Sequence, residues 1–416
     1  MKVLFLTTTL PRYPGDGQSP FVLEQAQAWK TARPADEVII LAPDDSSAKK
    51  KETLDGVVVF RYQFFWPRSL QRLPYPALLP NVRKNPLLLI QLPFLMLSAV
   101  CNLLFKKELK NADLVYAHWI VPNGLVVYIA HLASRIAHRK IKYVIHNHSS
   151  DLRLLTKIPL IGKSIARSII RNAEVFFCVN SQLKQEAVSL FEKKEQGLIE
   201  KKIVVLPMGV TMEKLKNQID KSTNQAQNQK FKVKYDIGFI GRLTEKKGVN
   251  KLLDAVKLLE KDKEVRIGIA GTGEEEQDIR DKIKELRINA TLIGQIDNTE
   301  KQKFFQETKL FVFPSLSING DIEGIPVSLL EALCQGKQVV VSGATNIELL
   351  PEWKRLMGNV ALCSNPGDVK ELALAIKSVL ELPRREMNKR ALDLQEVMKR
   401  YEWSSLIREY FLSLGI

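Results

Sequence analysis

Short runs rich in valine and isoleucine, each followed by enough chain for a helix, recur along this sequence, and that alternation limits the architectures open to it. In the first half the runs are Val3–Thr7, Val38–Ala42, Val57–Arg61, Leu114–Ala117, Tyr143–His146, Val175–Val179 and Ile203–Leu206. A continuously apolar run suits a parallel strand covered on both faces, and helix-like patterns such as Phe21–Lys30 and Leu125–His138 lie between the runs. Strands alternating with helices predict α/β layers around a parallel sheet. The pattern breaks at Lys214–Lys230, a stretch full of lysine, asparagine and glutamine that predicts an exposed loop near a domain boundary. It resumes with Asp236–Ile240, Val265–Ala270, Thr291–Ile293, Leu310–Phe313, Gln338–Val341 and Asn359–Leu362. Helices are expected between these at Lys251–Leu259 and Val327–Cys334, and again over Arg385–Leu414. At 416 residues the chain exceeds what one core usually serves, so two doubly wound domains joined near residue 207 are expected.

Hydrophobic residues at 45% and charged residues at 26% exclude wholesale disorder. The net charge of +16 favours a polyanionic partner such as nucleic acid, anionic lipid or a phosphate-bearing substrate, against the plainer alternative of a solvated basic surface. Cys101, Cys178, Cys334 and Cys363 are far apart in apolar contexts, which predicts buried free thiols in a reducing compartment. The opening Met1-Lys2-Val3-Leu4-Phe5-Leu6 is too short for a signal peptide and reads as a first strand, so a cytoplasmic location is expected.

Residues 86–105 form an uncharged stretch of spanning length between Arg83-Lys84 and Lys106-Lys107. It carries Gln91, Pro93, Ser98 and Asn102, and it separates strands that belong in one sheet, which a spanning helix would place on opposite sides of a bilayer. The expectation is a helical region partly buried in its domain, with peripheral contact to the inner face of an anionic membrane. The aromatic and cationic segments Phe64–Arg68 and Arg72–Tyr75 suit a headgroup layer.

In open α/β sheets ligands gather beyond the carboxyl ends of strands, and two such domains face to face make a cleft. The strand-to-helix loops are therefore where chemistry is expected. In Ile240-Gly241-Arg242-Leu243-Thr244-Glu245-Lys246-Lys247-Gly248, glycine lets backbone approach a ligand. The Arg242 fork and the Lys247 point charge can converge there on an anion favoured by a helix N-terminus. The segment Asp321 to Ala332 places Glu323 before Gly324, Ile325 and Pro326, and Glu331 inside an apolar helix where a carboxylate is costly unless paired. Two carboxylates suit the vicinal hydroxyls of ribose and hexose; a helix-terminal charge at Glu323 and a salt-bridged Glu331 are the structural alternatives. His148 and Asp151 follow the strand Tyr143–His146, His118 and Asn123 follow Leu114–Ala117, and Gly15, Asp16 and Gly17 lie in the loop Pro11–Phe21. Gly271-Thr272-Gly273 lacks the third glycine of a dinucleotide fingerprint, and the glutamates after it would repel a pyrophosphate. Asp321-x-Glu323 has no supporting carboxylate or histidine cluster, so no metal is expected.

These motifs closely resemble those of the retaining GT-B glycosyltransferases called family 4, over essentially the whole chain. The family's two glutamates separated by seven residues are matched by Glu323 and Glu331, and its diphosphate motif by Gly241-Arg242-Leu243 with Lys247-Gly248. Its histidine-glycine-x-aspartate is matched by His148 to Asp151, with Ser149 in place of glycine. The resemblance implies a GT-B fold of two Rossmann-like domains facing across a cleft: an acceptor-side domain over 1–206, a nucleotide-sugar domain over 207–390, and a helix over 391–416 returning to the first. It implies that Arg242 and Lys247 hold the donor diphosphate, Glu331 the ribose, and Glu323 the donor sugar, with Gly324, Ile325 and Pro326 alongside. His148, beside the anomeric centre, and Glu323 would be the catalytic residues, and Gly15, Gly17, His118, Asn123 and Asp151 would line the acceptor side. The implied activity moves a hexose from a nucleoside-diphosphate sugar, as co-substrate, to a saccharide or lipid-linked acceptor, with retention and without cofactor or metal. Gly343–Glu348 departs from the family pattern, which has a proline before the glutamate. An epimerase-like reaction in the same fold, or a non-catalytic basic protein that binds membrane or nucleic acid, are the alternatives. The placement of notable charges in strand-end loops disfavours nucleic acid.

Overall fold

The structure is a computed structural model, and it describes residues 1–13, 16, 20–75, 77–136, 138, 140–148, 151–211, 233–260, 264–318 and 324–416. Gly15, Gly17, Asp321, Glu323 and the predicted loop Lys214–Lys230 lie outside the described residues. Two compact units form, one of residues 1–208 with 406–416 and the other of residues 209–405.

In the first unit β1 (Lys2–Leu6), β2 (Glu37–Pro43), β3 (Lys51–Leu54), β4 (Val57–Tyr62), β5 (Leu114–His118), β6 (Tyr143–Asn147), β7 (Phe176–Cys178) and β8 (Ile203–Val205) make one sheet, in the order β3-β4-β2-β1-β5-β6-β7-β8. All neighbours are parallel except β3 and β4, which form a hairpin. Strand β3 departs from the expectation. Its residues Lys51-Glu52-Thr53-Leu54 are polar and sit at the sheet edge, so the search for apolar runs passes over them. The available signal was Asp55-Gly56, whose φ values of 49° and 81° suit the tight hairpin turn that this dipeptide favours.

Leu4, Leu6, Ile39, Leu41, Val115, Ala117 and Ile145 build the core of this unit with the helices Gln91–Phe105, Leu125–Ile136 and Gly162–Asn172. The helix Gln91–Phe105 buries Leu95, Ala99, Val100 and Leu103 and turns Phe94, Leu97, Cys101 and Phe105 outward. Cys101 is thus exposed, against the expectation of burial, because it falls on the outer face; the other three cysteines are buried, and all four are free. Residues 86–105 are long and apolar enough to cross a membrane, yet one face is seated on the core shared by β1, β4 and β5.

In the second unit β9 (Tyr235–Ile240), β10 (Ile267–Ala270), β11 (Ala290–Gly294), β12 (Thr308–Phe313), β13 (Gln338–Ser342) and β14 (Ala361–Cys363) form a wholly parallel sheet in the order β11-β10-β9-β12-β13-β14. Apolar layers cover both faces, one around Val249, Leu252, Val256 and Ile376, the other around Leu329, Leu330, Leu333 and Met398. Helix starts follow local chemistry. Asp297 and Glu300 form a reciprocal capping box on Asn298–Glu307, and Asp368 accepts from the Lys370 and Glu371 amides at the start of Val369–Leu380. The return to the first unit begins at Leu406 and not at 391, since Leu394, Val397 and Met398 belong to the second unit's core. Beyond that point Tyr410 packs 5.0 Å from Phe177 and Phe411 packs 4.9 Å from Trp29, while the Tyr410 hydroxyl donates to the Pro207 carbonyl at 2.9 Å.

Candidate functional site

The polar groups of interest lie beyond the carboxyl ends of the strands in each unit, where a parallel sheet leaves its loops free to meet ligands. In the second unit the chain leaves β9 at Gly241 and immediately bonds to the loop after β10: the Gly241 amide donates to the Ala270 carbonyl (3.1 Å) and the Leu243 amide to the Thr272 carbonyl (2.9 Å). This approach requires glycine at 271, because a Cβ there would lie 1.9 Å from the Gly241 carbonyl oxygen, and φ is +134°. Gly271-Thr272-Gly273, dismissed as an imperfect dinucleotide fingerprint, serves instead to let two loops touch. The signal was the pair of glycines directly after a strand.

Arg242 is exposed on this seam. Lys247 closes the turn Glu245–Lys247, and its Cε lies 4.0 Å from where a Cβ on Gly241 would stand, so its side chain runs back towards the start of the loop. The neighbouring loop is tied in as well, since the Ser328 hydroxyl donates to the Ile240 carbonyl at 3.2 Å. That bond brings Gly324, Ile325 and Pro326, which precede the helix Val327–Cys334, beside the end of β9. Glu331 lies in this helix, nearly buried, and accepts from Lys301 Nζ at 2.5 Å. Lys301, on the helix Asn298–Glu307, was not foreseen: it stands thirty positions away, and only the fold shows that it supplies the pairing a buried carboxylate needs. Asn346 takes a left-handed φ of 56° in the Gly343–Glu348 segment after β13.

In the first unit β5 and β6 run in register, so His118 pairs directly with His146, and His148 follows two residues on. Their ring nitrogens lie within 4.8 Å of one another. The sequence reading saw no histidine cluster. Adjacent strand register creates one, and it includes the group of described side chains best disposed to ligate a metal. Four of the six ring nitrogens have hydrogen-bond partners in this arrangement. His146 Nε2 donates to the Leu206 carbonyl at 3.2 Å, and its Nδ1 accepts from the Tyr116 hydroxyl at 3.1 Å. His118 Nδ1 and His148 Nε2, 2.8 Å apart, share one proton. The buried His118 Nε2 has no partner, and an orphaned buried donor is costlier than an orphaned lone pair. The shared proton is therefore assigned to His118 Nδ1, which leaves His148 Nε2 as acceptor and Nδ1 as the protonated nitrogen.

Burial, reinforced by His146, holds His118 well below the ordinary imidazole range. Burial and both neighbouring rings do the same for His148, and burial alone pushes His146 down to about 3. All three are neutral at physiological pH. Since the unfolded chain binds these protons and the folded chain does not, their contribution to stability is complete above pH 6.5 and is lost as pH falls towards the folded values. Acidifying below pH 6.5 is expected to lower stability progressively, with the His146 contribution approaching a limit of about 1.4 kcal/mol per pH unit. Chemical unfolding over that range, with ¹⁵N shifts of the rings, checks it; a ring titrating near 6.5 would contradict the burial.

Around the rings, Trp119 adopts a φ of 64°, rare for a bulky residue, and its amide donates to the His146 carbonyl at 2.8 Å. Phe21 and Trp119 pack 5.2 and 5.0 Å from His148. Asn123 donates to the His118 carbonyl (2.8 Å), and the buried Asp151 carboxylate accepts from the Ile120 amide (2.6 Å). Asp151 thus ties the loop after β6 to the loop after β5, while Asn123 braces the β5 loop back on the end of its own strand. In the first loop Arg12 donates through Nε to Asp16 at 2.7 Å, a latch the sequence reading did not assign; that bond raises the arginine's pKa.

Two doubly wound units, each with its polar side chains gathered in the loops beyond the strand ends, define the GT-B class of glycosyltransferase folds. A family model described as Glycosyl transferases group 1 matches residues 220–394, and one described as Glycosyltransferase Family 4 matches residues 15–214. The chain belongs to this family. It is 31% identical over 160 residues to the amylovoran biosynthesis glycosyltransferase AmsK of Erwinia amylovora, a match covering 38% of this chain and 37% of that protein. It is 26% identical over 215 residues to the putative colanic acid biosynthesis glycosyltransferase WcaL of Escherichia coli K12, covering 48% and 51%. The matches thus span about half or less of the length of these curated relatives. Among solved structures, sucrose-phosphate synthase from Thermosynechococcus elongatus superposes with a TM-score of 0.69 at 16% identity, covering 99% of this chain and 97% of that one. Anabaena HepE in complex with UDP and glucose does so with a TM-score of 0.63 at 16% identity, covering 100% and 99%.

Proposed function

We propose that this protein transfers a hexose from a nucleoside-diphosphate sugar to a saccharide or lipid-linked acceptor in the building of a polysaccharide, with retention of anomeric configuration. The observation that carries the reading is the seam after β9, where two loops held together by Gly271 present Arg242 and Lys247 at a strand end. In the proposed reaction an acceptor hydroxyl oxygen bonds to the anomeric carbon as the bond from that carbon to the diphosphate oxygen breaks. The electron pair leaves with the diphosphate, and the hydroxyl proton passes to it or to water. Charge develops on the diphosphate, where Arg242 and Lys247 would stabilise it without needing to reorganise. Glu331, held in place by Lys301, would accept from the ribose hydroxyls, and Glu323 from the donor sugar. Neutral His148, protonated on Nδ1, would donate to an oxygen of the transferred sugar. The biosynthetic roles of AmsK and WcaL, and the UDP and glucose held by HepE, support the substrate classes.

The test is release of free nucleoside diphosphate. It is expected only when both donor and acceptor are present; release without acceptor, or interconversion of the donor sugar alone, favours the epimerase-like alternative. The two cations supply the charge a divalent ion would otherwise bring, so a chelator is expected to leave turnover unchanged. Loss of turnover on chelation, restored by a stoichiometric metal, would give the histidine cluster that role instead.

A further inference from the structure

The net charge of this chain is not spread evenly along its sequence. Residues 56–173 hold 17 Lys and Arg against only three acids, Glu108, Asp113 and Asp151, which is +14 of the total of +16. Within that stretch the first unit turns a broad apolar face to solvent. Along residues 90–105, Ile90, Phe94, Leu97, Cys101 and Phe105 recur at intervals of three and four and are all exposed, which is the outer stripe of one helix face. The helix Leu125–Ile136 packs beside this one and exposes Ile129, Leu132 and Ile136. Leu160, fully exposed, stands between the helices Asp151–Thr156 and Gly162–Asn172 with Ile158 and Ile161 exposed on either side. Trp66, 82% exposed, is carried next to the stripe by the contact of Phe65 with Phe94 at 5.5 Å. Exposed Arg83, Lys84, Lys107 and Lys110 bracket the stripe at both ends.

We propose that this face docks in the plane of an anionic phospholipid bilayer, with the stripe and Trp66 in the interfacial layer and the bracketing cations on the lipid headgroups. The inference specifies the membrane contact expected for residues 86–105 and rests on surface residues outside the strand-end loops, so its failure would leave the transferase reading standing. Lipid fits where other occupants do not. A second copy would bring the same positive charge face to face, and nucleic acid gains little from leucine and isoleucine, which offer bases no stacking. Apolar area flanked by lysine and arginine is what interfacial binding requires. The seating of Leu95, Ala99 and Leu103 in the core keeps the helix on the surface and prevents it from crossing.

Sedimentation of the full chain with vesicles tests this. The protein is expected to pellet with vesicles containing phosphatidylglycerol and not with phosphatidylcholine alone, to be released by high salt, and to be washed off by alkaline carbonate. Charge reversal in Arg83→Glu/Lys84→Glu, and separately Ile90→Ser/Leu97→Ser/Phe105→Ser, should each weaken binding by at least about tenfold. Both should keep the wild-type melting temperature and turnover on a soluble acceptor. If the serine variant melts early, the charge-reversal variant and quenching of Trp66 by brominated lipid decide. Failure to pellet with anionic vesicles, undiminished binding by the variants, or resistance to carbonate extraction would overturn the proposal. So would duplex DNA binding lost in the same variants while lipid binding is absent.

Discussion

Alanine at Arg242 or at Lys247 is expected to lower kcat by about 10²–10³ in each case, the usual cost of removing one preorganised charge partner from a developing oxyanion. The fold should survive, because Arg242 is exposed and Lys247 lies in a surface turn after β9. Replacing Arg242 by lysine should restore only part of the rate, since the planar fork is lost while the charge is kept. The double variant should cost less than the product of the two, because both groups act on one diphosphate. Steady-state kinetics alongside thermal melts separate the outcomes. Wild-type turnover in either single variant would remove that residue from the site.

The second large effect concerns backbone. In Gly271→Ala the new Cβ would sit 1.9 Å from the Gly241 carbonyl oxygen, in a conformation of φ +134° that L-residues rarely adopt. Both partners are main chain, so no flexible side chain can move aside. A loss of about 3–5 kcal/mol is expected, lowering the second unit's melting temperature by about 10 °C, and nucleotide-sugar binding should fail with it because the Arg242 loop loses its support. Gly197→Ala provides the control. Gly197 lies in the helix Lys193–Lys202 with open space around its missing Cβ, and alanine there should be neutral or stabilising by about 0.5–1 kcal/mol. A Gly271→Ala protein that melts and binds like wild type would contradict the account of the seam.

What the sequence could and could not show follows from what is local in the chain. Apolar runs such as Val38–Ala42 and Leu310–Phe313 announce buried parallel strands because both faces of the sheet are covered, and they fall within β2 and β12. Strand β3 escaped because an edge strand needs no apolar run. Gly241, Arg242 and Lys247 are legible as a motif because one strand-to-helix loop keeps them close in sequence, and Glu331 is legible through its spacing from Glu323. Pairings made by topology are not legible: Lys301 meets Glu331 from another helix, and His118 meets His148 only because β5 and β6 are neighbours in register. Asp151 bonds the two loops together and Asn123 braces the β5 loop on its own strand end, supporting duties that their positions in a motif do not reveal. The concentration of charge in residues 56–173 was present in the sequence throughout, but a single total for the chain conceals it.

A thermal-shift panel of UDP, GDP and ADP with their sugars, run on the wild-type chain and on Arg242→Ala/Lys247→Ala, tests the central claim most directly, because a ligand that binds the folded state raises its melting temperature. At least one nucleoside-diphosphate sugar should raise the wild-type melting temperature and leave that of the double variant unmoved. No shift with any of them, or an equal shift in the variant, would contradict the claim that the β9 seam holds a sugar-nucleotide diphosphate.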